Sequence, residues 1–258
     1  MKKRVCTISH KKLYTFLEEQ VTLRNRMDEI SLLRPDPLLI ASSKPDEYRA
    51  LVCALYAYGN VNAIVRFLLS LDFTSLDDDE EKIAQTLANS YYRFQSALDT
   101  QAFFITLSRL KKQTTLEALF LQGYQKKYDV MDGLKELIEA LYDAHSYRSK
   151  GYEFLLGKIP NKPYNSPYKR WHMYLRWMVR KDCLDLGLWQ GVSCSDLLMP
   201  LDVHTFRVGK KLGLITQKAY NFKAVLELTD QLKKLDEHDP IKYDFALYRL
   251  GQEKKGLI

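Results

Sequence analysis

The chain has 258 residues, of which 46% are hydrophobic and 28% charged, so it is long enough to bury a substantial core. This composition excludes an intrinsically disordered chain, and no stretch is long and apolar enough to cross a membrane. Lys and Arg exceed Asp and Glu by 39 to 32, giving a net charge of +7. A positive net charge favours a polyanionic binding partner. The alternative, which has equal weight, is that the protein is basic without binding a polyanion.

Amphipathic spacing and capping residues predict helices through the first half of the chain. An acidic run at 77–81 is interpreted as a solvated helix start that complements the helix dipole, and not as a metal site. Alternating β-branched residues bounded by hairpin turns are nearly absent, so the predicted fold class is all-α. The predicted helices cover residues 11–23, 46–58, 61–71, 77–94, 100–110, 114–122 and 132–142.

Residues 157–167 contain three prolines, and this predicts an irregular loop. Ser166 as N-cap and Pro167 as first helical residue then predict a helix whose first turn holds Lys169, where the helix dipole repels a cation. Helical spacing predicts a core face and, opposite it, a basic face. The basic face comprises Lys169, His172, Arg176 and Arg180.

The C-terminal part of the chain is predicted to be helical after a second irregular connection at 182–191. A short helix is expected at 195–199, and Asp202 precedes a helix at 203–212 that Gly213 ends. Two further helices are predicted at 221–235 and 239–250. Asp202 therefore lies at a helix N-terminus.

A lysine in one helix, followed by an aspartate that opens a later helix, resembles the helix-hairpin-helix DNA glycosylase superfamily, which includes endonuclease III. The resemblance rests on Lys169 and on the later runs Leu201-Asp202-x-His204-x-x-Arg207-Val208 and Leu212-Gly213-Leu214. In bifunctional members of that superfamily the lysine attacks the sugar. The resemblance thus implies that Lys169 and Asp202 are the catalytic residues.

A closer resemblance is to a family of uncharacterised bacterial proteins. This resemblance does not imply a particular activity. The shared motifs are Lys169-Arg170-x-x-Met173-x-Leu175-Arg176-Trp177-Met178-Val179-Arg180, Pro200-Leu201-Asp202-x-His204 and Asp239-Pro240-x-Lys242-Tyr243-Asp244-Phe245-Ala246-Leu247.

The superfamily fold implies two helical domains with the active site in the cleft between them. Transferred to this chain, one domain comprises residues 1–45 plus 195–258, and the other residues 46–194. The sequence departs from the superfamily at the Gly-x-Gly hairpin before the lysine, which is replaced by Asn165-Ser166-Pro167-Tyr168. Pro167 has no amide hydrogen to donate to a phosphate.

The four cysteines show neither the spacing of a disulfide framework nor that of the superfamily's iron-sulfur loop. No signal peptide is recognisable, so reduced thiols and a cytoplasmic location are expected. Spacings of eleven and ten residues between Cys183, Cys194 and His204 fit no compact zinc site, and we expect neither a metal nor another cofactor. The remaining cysteines are Cys6 and Cys53.

Cleavage of an N-glycosidic bond builds positive charge on the deoxyribose, which a carboxylate stabilises, and an amine at C1′ forms a Schiff base. Asp202 and Lys169 supply these groups, and the expected partner of the monomeric protein is double-stranded DNA with a damaged base or an abasic site. The residues expected to bind nucleic acid are Arg170, His172, Arg176, Arg180, His204, Arg207 and Lys210.

The same residues permit less specific interpretations. Asp202 can be a helix N-cap alone, and Lys169 can be a surface lysine or a phosphate-binding cation. The protein would then be a non-catalytic nucleic-acid-binding module or a helical protein-interaction scaffold. A deep polar cleft that holds both residues favours the enzyme, whereas a flat basic surface or an apolar groove favours the alternatives.

Overall fold

A computed structural model describes residues 10–253, and all regular secondary structure in that range is helical. The all-α prediction is confirmed. Four short 3₁₀ helices, at Met27–Glu29, Phe73–Asp77, Cys194–Asp196 and Pro240–Tyr243, lie between the α-helices. The α-helices are α1 (His10–Arg24), α2 (Leu38–Ser43), α3 (Glu47–Leu55), α4 (Val61–Ser70), α5 (Glu80–Thr86), α6 (Ala97–Lys111), α7 (Leu116–Tyr124), α8 (Val130–Asp143), α9 (Lys150–Leu156), α10 (Lys169–Val179), α11 (Val203–Lys211), α12 (Phe222–Lys233) and α13 (Asp244–Glu253).

Side-chain caps fix several of the helix starts at or next to the predicted positions. The Asp46 carboxylate accepts a hydrogen bond from the Arg49 amide at the start of α3, and Asn60 and Asn221 cap α4 and α12 in the same way. Such a cap satisfies an amide that has no partner within the helix. Local sequence signals are therefore sufficient to place these starts.

Several helix predictions are wrong, and the short helix α2 was not predicted. The helix predicted over 77–94 ends at Thr86, and residues 92–95 form a tight turn instead. The short helix α9 was not predicted, and the final helix does not end at Gly251. A Cβ atom added at Gly251 would lie 2.8 Å from the Cβ of His204, so this glycine permits close contact between α13 and α11.

The buried hydrophobic side chains form one cluster to which helices from all parts of the described chain contribute. Helix α10 packs against α3, while α13 packs against both α1 and α11. Arg24 at the end of α1 also donates hydrogen bonds to the Glu253 carboxylate of α13. The division into two domains remains a prediction. Within residues 10–253 no helix is long and apolar enough to cross a membrane.

The two arginines in the second half of the predicted basic face are buried in ion pairs, so that part of the prediction is wrong. Arg176 pairs with Asp185 and with Asp244, and its side chain is only 5% exposed. Arg180 pairs with Asp185 and with Asp239. Burying a charge is costly unless it is paired and hydrogen-bonded, and these aspartates supply the pairing. Helix α10 is thereby connected to the 182–191 loop and to α13.

We predict that Asp185→Asn strongly destabilises the fold, because it removes the carboxylate that Arg176 and Arg180 share. Loss of one partner of a buried pair costs about 3–5 kcal/mol, and we expect about 3 kcal/mol because each arginine keeps another aspartate. Urea denaturation would measure the free energy of unfolding. As a control, Asp28→Asn breaks the exposed pair with Arg26 and should change stability little. Equal losses in both variants would contradict the assignment.

Candidate active site

A cleft of about 630 Å³ opens between the α3–α4 junction, the start of α10, the start of α11 and α13. Lys169 and Asp202, the two predicted catalytic residues, both line it. The cleft wall mixes polar and apolar groups, and further polar members of the wall are Tyr58, Asn60, His204, Tyr220, Asp244 and Tyr248.

Lys169 is the first residue of α10, which begins two residues later than predicted. Ser166 does not cap the helix; Tyr168 occupies the N-cap position with a φ of 45°, in the left-handed region that residues other than glycine rarely adopt. The Lys169 Nζ contacts the Met173 sulfur at 3.3 Å and makes no ion pair within the described range. The ammonium therefore lies at a helix N-terminus without a neutralising carboxylate in contact.

Asp202 is the N-cap of α11, as one interpretation of the sequence predicted. Its Oδ1 accepts a hydrogen bond from the Thr205 amide at 2.7 Å, and the side chain is half-buried. An ionised carboxylate has about four acceptor positions on its two oxygens. Capping therefore leaves Asp202 with acceptor capacity toward the cleft that it lines.

Asp244 is a further charged residue of the cleft, and it was not among the site residues predicted from the sequence. It is the first residue of α13 and is fully buried beside Arg176. Burial raises the pKa of its carboxyl group, whereas the charges of Arg176 and Lys169 oppose that rise. Asp244 thus lies within the electrostatic field of Lys169. The sequence signal that could have identified Asp244 is the motif that contains it, Asp239-Pro240-x-Lys242-Tyr243-Asp244.

The two tyrosines of the cleft wall are held in place by hydrogen bonds. The Tyr220 hydroxyl donates to the Leu201 carbonyl oxygen at 2.7 Å, and the Tyr248 hydroxyl accepts from the Gln252 amide at 2.7 Å. Burial raises the pKa of both phenols, so both are neutral at physiological pH. The aromatic residues of α10 are mostly core, as expected from their spacing: Trp171, Tyr174 and Trp177 are buried.

Of the residues predicted to bind nucleic acid, those on α10 serve the fold. Arg170 is half-buried and donates hydrogen bonds to the carbonyl oxygens of Leu55 and Phe154. His172 is 1% exposed, so the prediction that it contacts DNA is wrong. Arg176 and Arg180 are internal, as described above.

The predicted residues on α11 are accessible. His204 is exposed and lines the cleft, and Arg207 and Lys210 are exposed one and two turns further along the helix. Lys210 donates a hydrogen bond to the Gln217 carbonyl oxygen at 3.2 Å. The accessible positive charge of this region is thus that of α11 together with Lys169, and not that of the arginines of α10.

No group of three or more His, Cys, Asp or Glu residues within residues 10–253 could hold a metal ion. Cys53, Cys183 and Cys194 are free thiols, with Cys53 buried. The prediction for Cys6 lies outside the described residues.

The fold and the cleft define an all-helical protein with a lysine and an aspartate at two helix N-termini that face one cavity. Residues 36–253 match the model of a family described as "Protein of unknown function (DUF2400)", and the chain belongs to that family. No significant match is found among curated proteins or among solved structures.

His172 is expected to make the protein sensitive to acid. Neither of its ring nitrogens has a hydrogen-bond partner in the described structure, and burial lowers its pKa to about 3. In the unfolded chain the pKa is about 6.5, so the unfolded state binds the proton more strongly and stability falls as the pH drops below about 6.5.

We therefore predict that His172→Leu reduces the acid sensitivity. Between pH 7 and pH 5 the wild type should lose about 2 kcal/mol more unfolding free energy than the variant, since each pH unit below 6.5 contributes up to about 1.4 kcal/mol. Urea denaturation at both pH values gives the difference. Parallel losses in the two proteins would show that His172 is not responsible.

Proposed function

We propose that the protein is a DNA base-excision repair glycosylase with abasic-site lyase activity. In this proposal Lys169 is the Schiff-base nucleophile and Asp202 stabilises the positive charge that develops on the sugar. The observation that carries the proposal is that both side chains line one cleft, although 33 residues separate them in the sequence. The glycosylase resemblance names these same two positions.

The chemistry requires an amine and a carboxylate on either side of the same sugar carbon. As the bond from C1′ to the base breaks, the base leaves with the bonding electrons, and the lone pair of the Lys169 nitrogen forms the new bond to C1′. The proton that this nitrogen gives up balances the proton that the departing base takes up. Opening of the sugar ring then gives the Schiff base. The Asp202 carboxylate, fixed by its bond to the Thr205 amide, would lower the energy of the cationic transition state without having to reorganise.

The dimensions of the cleft support a single extruded nucleotide as the ligand. Its volume of about 630 Å³ lies within the range of about 300–1,000 Å³ that is typical of small-molecule sites. Enzymes that act on a base within a duplex must bring that base out of the stack into such a pocket. Tyr220 and Tyr248 provide neutral aromatic walls that would suit a planar base.

A non-catalytic nucleic-acid-binding module is the second candidate. The capping bond of Asp202 favours it, because that bond alone accounts for an aspartate at this position. Exposed cations on α11 would then bind phosphates, and Lys169 would be a further phosphate contact. A protein-interaction scaffold is less favoured, since charged groups stand among the apolar residues of the cleft wall, which is therefore not a purely apolar groove.

Borohydride trapping separates these candidates. On duplexes that carry an abasic site or 8-oxoguanine, we predict that the wild type forms a covalent adduct and that Lys169→Ala abolishes it. Asp202→Asn should slow base release by about 100- to 1,000-fold, the effect of removing one stabilising group. Asparagine caps helices as well as aspartate does, so this variant should fold normally.

The control is Lys218→Ala, which removes an exposed lysine outside the cleft and should leave trapping unchanged. Salt-sensitive DNA binding without an adduct or base release, across a panel of lesions, would refute the lysine mechanism and favour the binding module.

A further inference from the structure

A cluster of aromatic rings and arginines borders the cleft, and three of its members, Arg93, Phe94 and Phe154, are exposed. The rings of Phe94 and Phe154 are conspicuous because these residues are 59% and 42% exposed. Large apolar side chains grouped at a surface commonly mark an interaction site. The members of this aromatic-arginine cluster are Tyr58, Arg93, Phe94, Phe154 and Arg170.

A tight turn holds Arg93 and Phe94 at its tip. The backbone amides of Tyr92 and Gln95 donate to each other's carbonyl oxygens at 3.0 and 2.9 Å, and Arg93 has a φ of 53°. The Gln95 side chain donates to a backbone carbonyl of α9, and the Tyr92 hydroxyl donates to the Tyr58 carbonyl oxygen, both at 2.8 Å. The tip is therefore anchored to α9 and to the α3–α4 junction.

The rings and cations of the cluster are already arranged around one another. The Phe94 ring lies parallel to that of Tyr58, with centroids 6.1 Å apart, and Phe154 meets both rings edge-on. The Arg93 guanidinium lies 5.5 Å from the Phe94 centroid, and that of Arg170 lies 5.1 Å from the Phe154 centroid. Rigid rings of this kind bind a ligand with little loss of conformational entropy.

The charge of the cluster is positive. Arg93 is exposed and makes no ion pair with any residue of the described chain. Lys150, the first residue of α9, and Lys158, just beyond its end, are also exposed, against a single acid, Glu153, within that helix. Phosphate is the complementary ligand for such unpaired cations.

The cluster is continuous with the cleft. Tyr58 and Arg170 belong to the cluster and also line the cleft wall, together with Gly59. A strand whose nucleotide occupied the cleft could therefore extend across the cluster without leaving the protein surface.

We propose that the aromatic-arginine cluster binds unpaired nucleotides, with one base stacked on Phe94, a neighbouring base stacked on Phe154 and a phosphate on Arg93. Stacking on aromatic rings requires a free base face, which a paired base inside a duplex does not offer. This inference rests on the proposed function and narrows its substrate class to DNA that has unpaired bases beside the target nucleotide. The exposed Arg93 guanidinium favours a ligand that carries phosphate, and this argues for a nucleic acid over a protein ligand.

Fluorescence anisotropy with two labelled DNA probes, a fully paired duplex and the same duplex with a central bubble of unpaired thymines, tests the proposal without any turnover. The wild type should bind the bubble more tightly. Phe154→Ala should weaken bubble binding by roughly 5- to 100-fold and duplex binding much less, as expected for one lost base stack. Tyr14→Ala is the matched control, because Tyr14 is also 42% exposed and lies on α1.

Substitutions at Phe94 separate base stacking from a general apolar contact. Phe94→Trp should retain bubble binding, whereas Phe94→Leu should lose it as Phe94→Ala does. Three outcomes would overturn the proposal: an equal loss of affinity for the bubble and the duplex, full bubble binding by Phe94→Leu, or no loss of bubble binding in any variant. After either of the last two outcomes, a protein would be the better candidate ligand for the cluster.

The anisotropy measurement does not depend on Lys169 chemistry. A failed borohydride experiment alongside a bubble preference would refute the enzyme and not the cluster. Successful trapping without a bubble preference would refute the proposed role of the cluster and not the enzyme.

Discussion

The paired burial of Arg176 and Arg180 is the constraint on which the candidate site depends. Each guanidinium would be costly to bury alone, so each must remain where its aspartates can reach it. Arg176 contacts Asp244 at the start of α13, and α13 packs against α11. The helix that begins with Lys169 is thereby fixed relative to the helix that Asp202 caps. In this protein, buried ion pairs determine geometry more clearly than they add stability.

Several helix starts were predictable because the signal is a side chain that bonds a nearby amide. Asp46, Asn60, Asp202 and Asn221 cap α3, α4, α11 and α12, which begin at the predicted positions or one residue from them. The start of α10 was not predictable in this way. Ser166 and Pro167 carry the usual signals of a helix start, but the backbone at Tyr168 adopts a left-handed conformation. A local rule fails when tertiary packing decides the backbone conformation.

The interior charges could not be predicted from periodicity. Basic residues at helical spacing are compatible with a solvated face or with buried pairs. The positions of Asp185, Asp239 and Asp244, which lie outside the helix, decide between the two. For the same reason, Lys169 and Asp202 were predicted as site residues from the sequence, whereas Asp244 and the Tyr92–Gln95 turn were not. Residues from distant segments become one site only after the chain has folded.

The charges of the cleft wall bear on the kind of ligand that fits. The wall carries both signs, with carboxylates at Asp36, Asp202 and Asp244 and cations at Lys169, Arg170 and Arg176. Arg176 is paired with Asp244, and Arg170 donates to two backbone carbonyl oxygens, whereas Lys169 and Asp202 make no ion pair within the described residues. A nucleotide also carries both signs when its glycosidic bond breaks, because the phosphates remain negative as the sugar carbon becomes positive. A wall that was cationic throughout, as in a simple phosphate-binding pocket, would destabilise that developing positive charge.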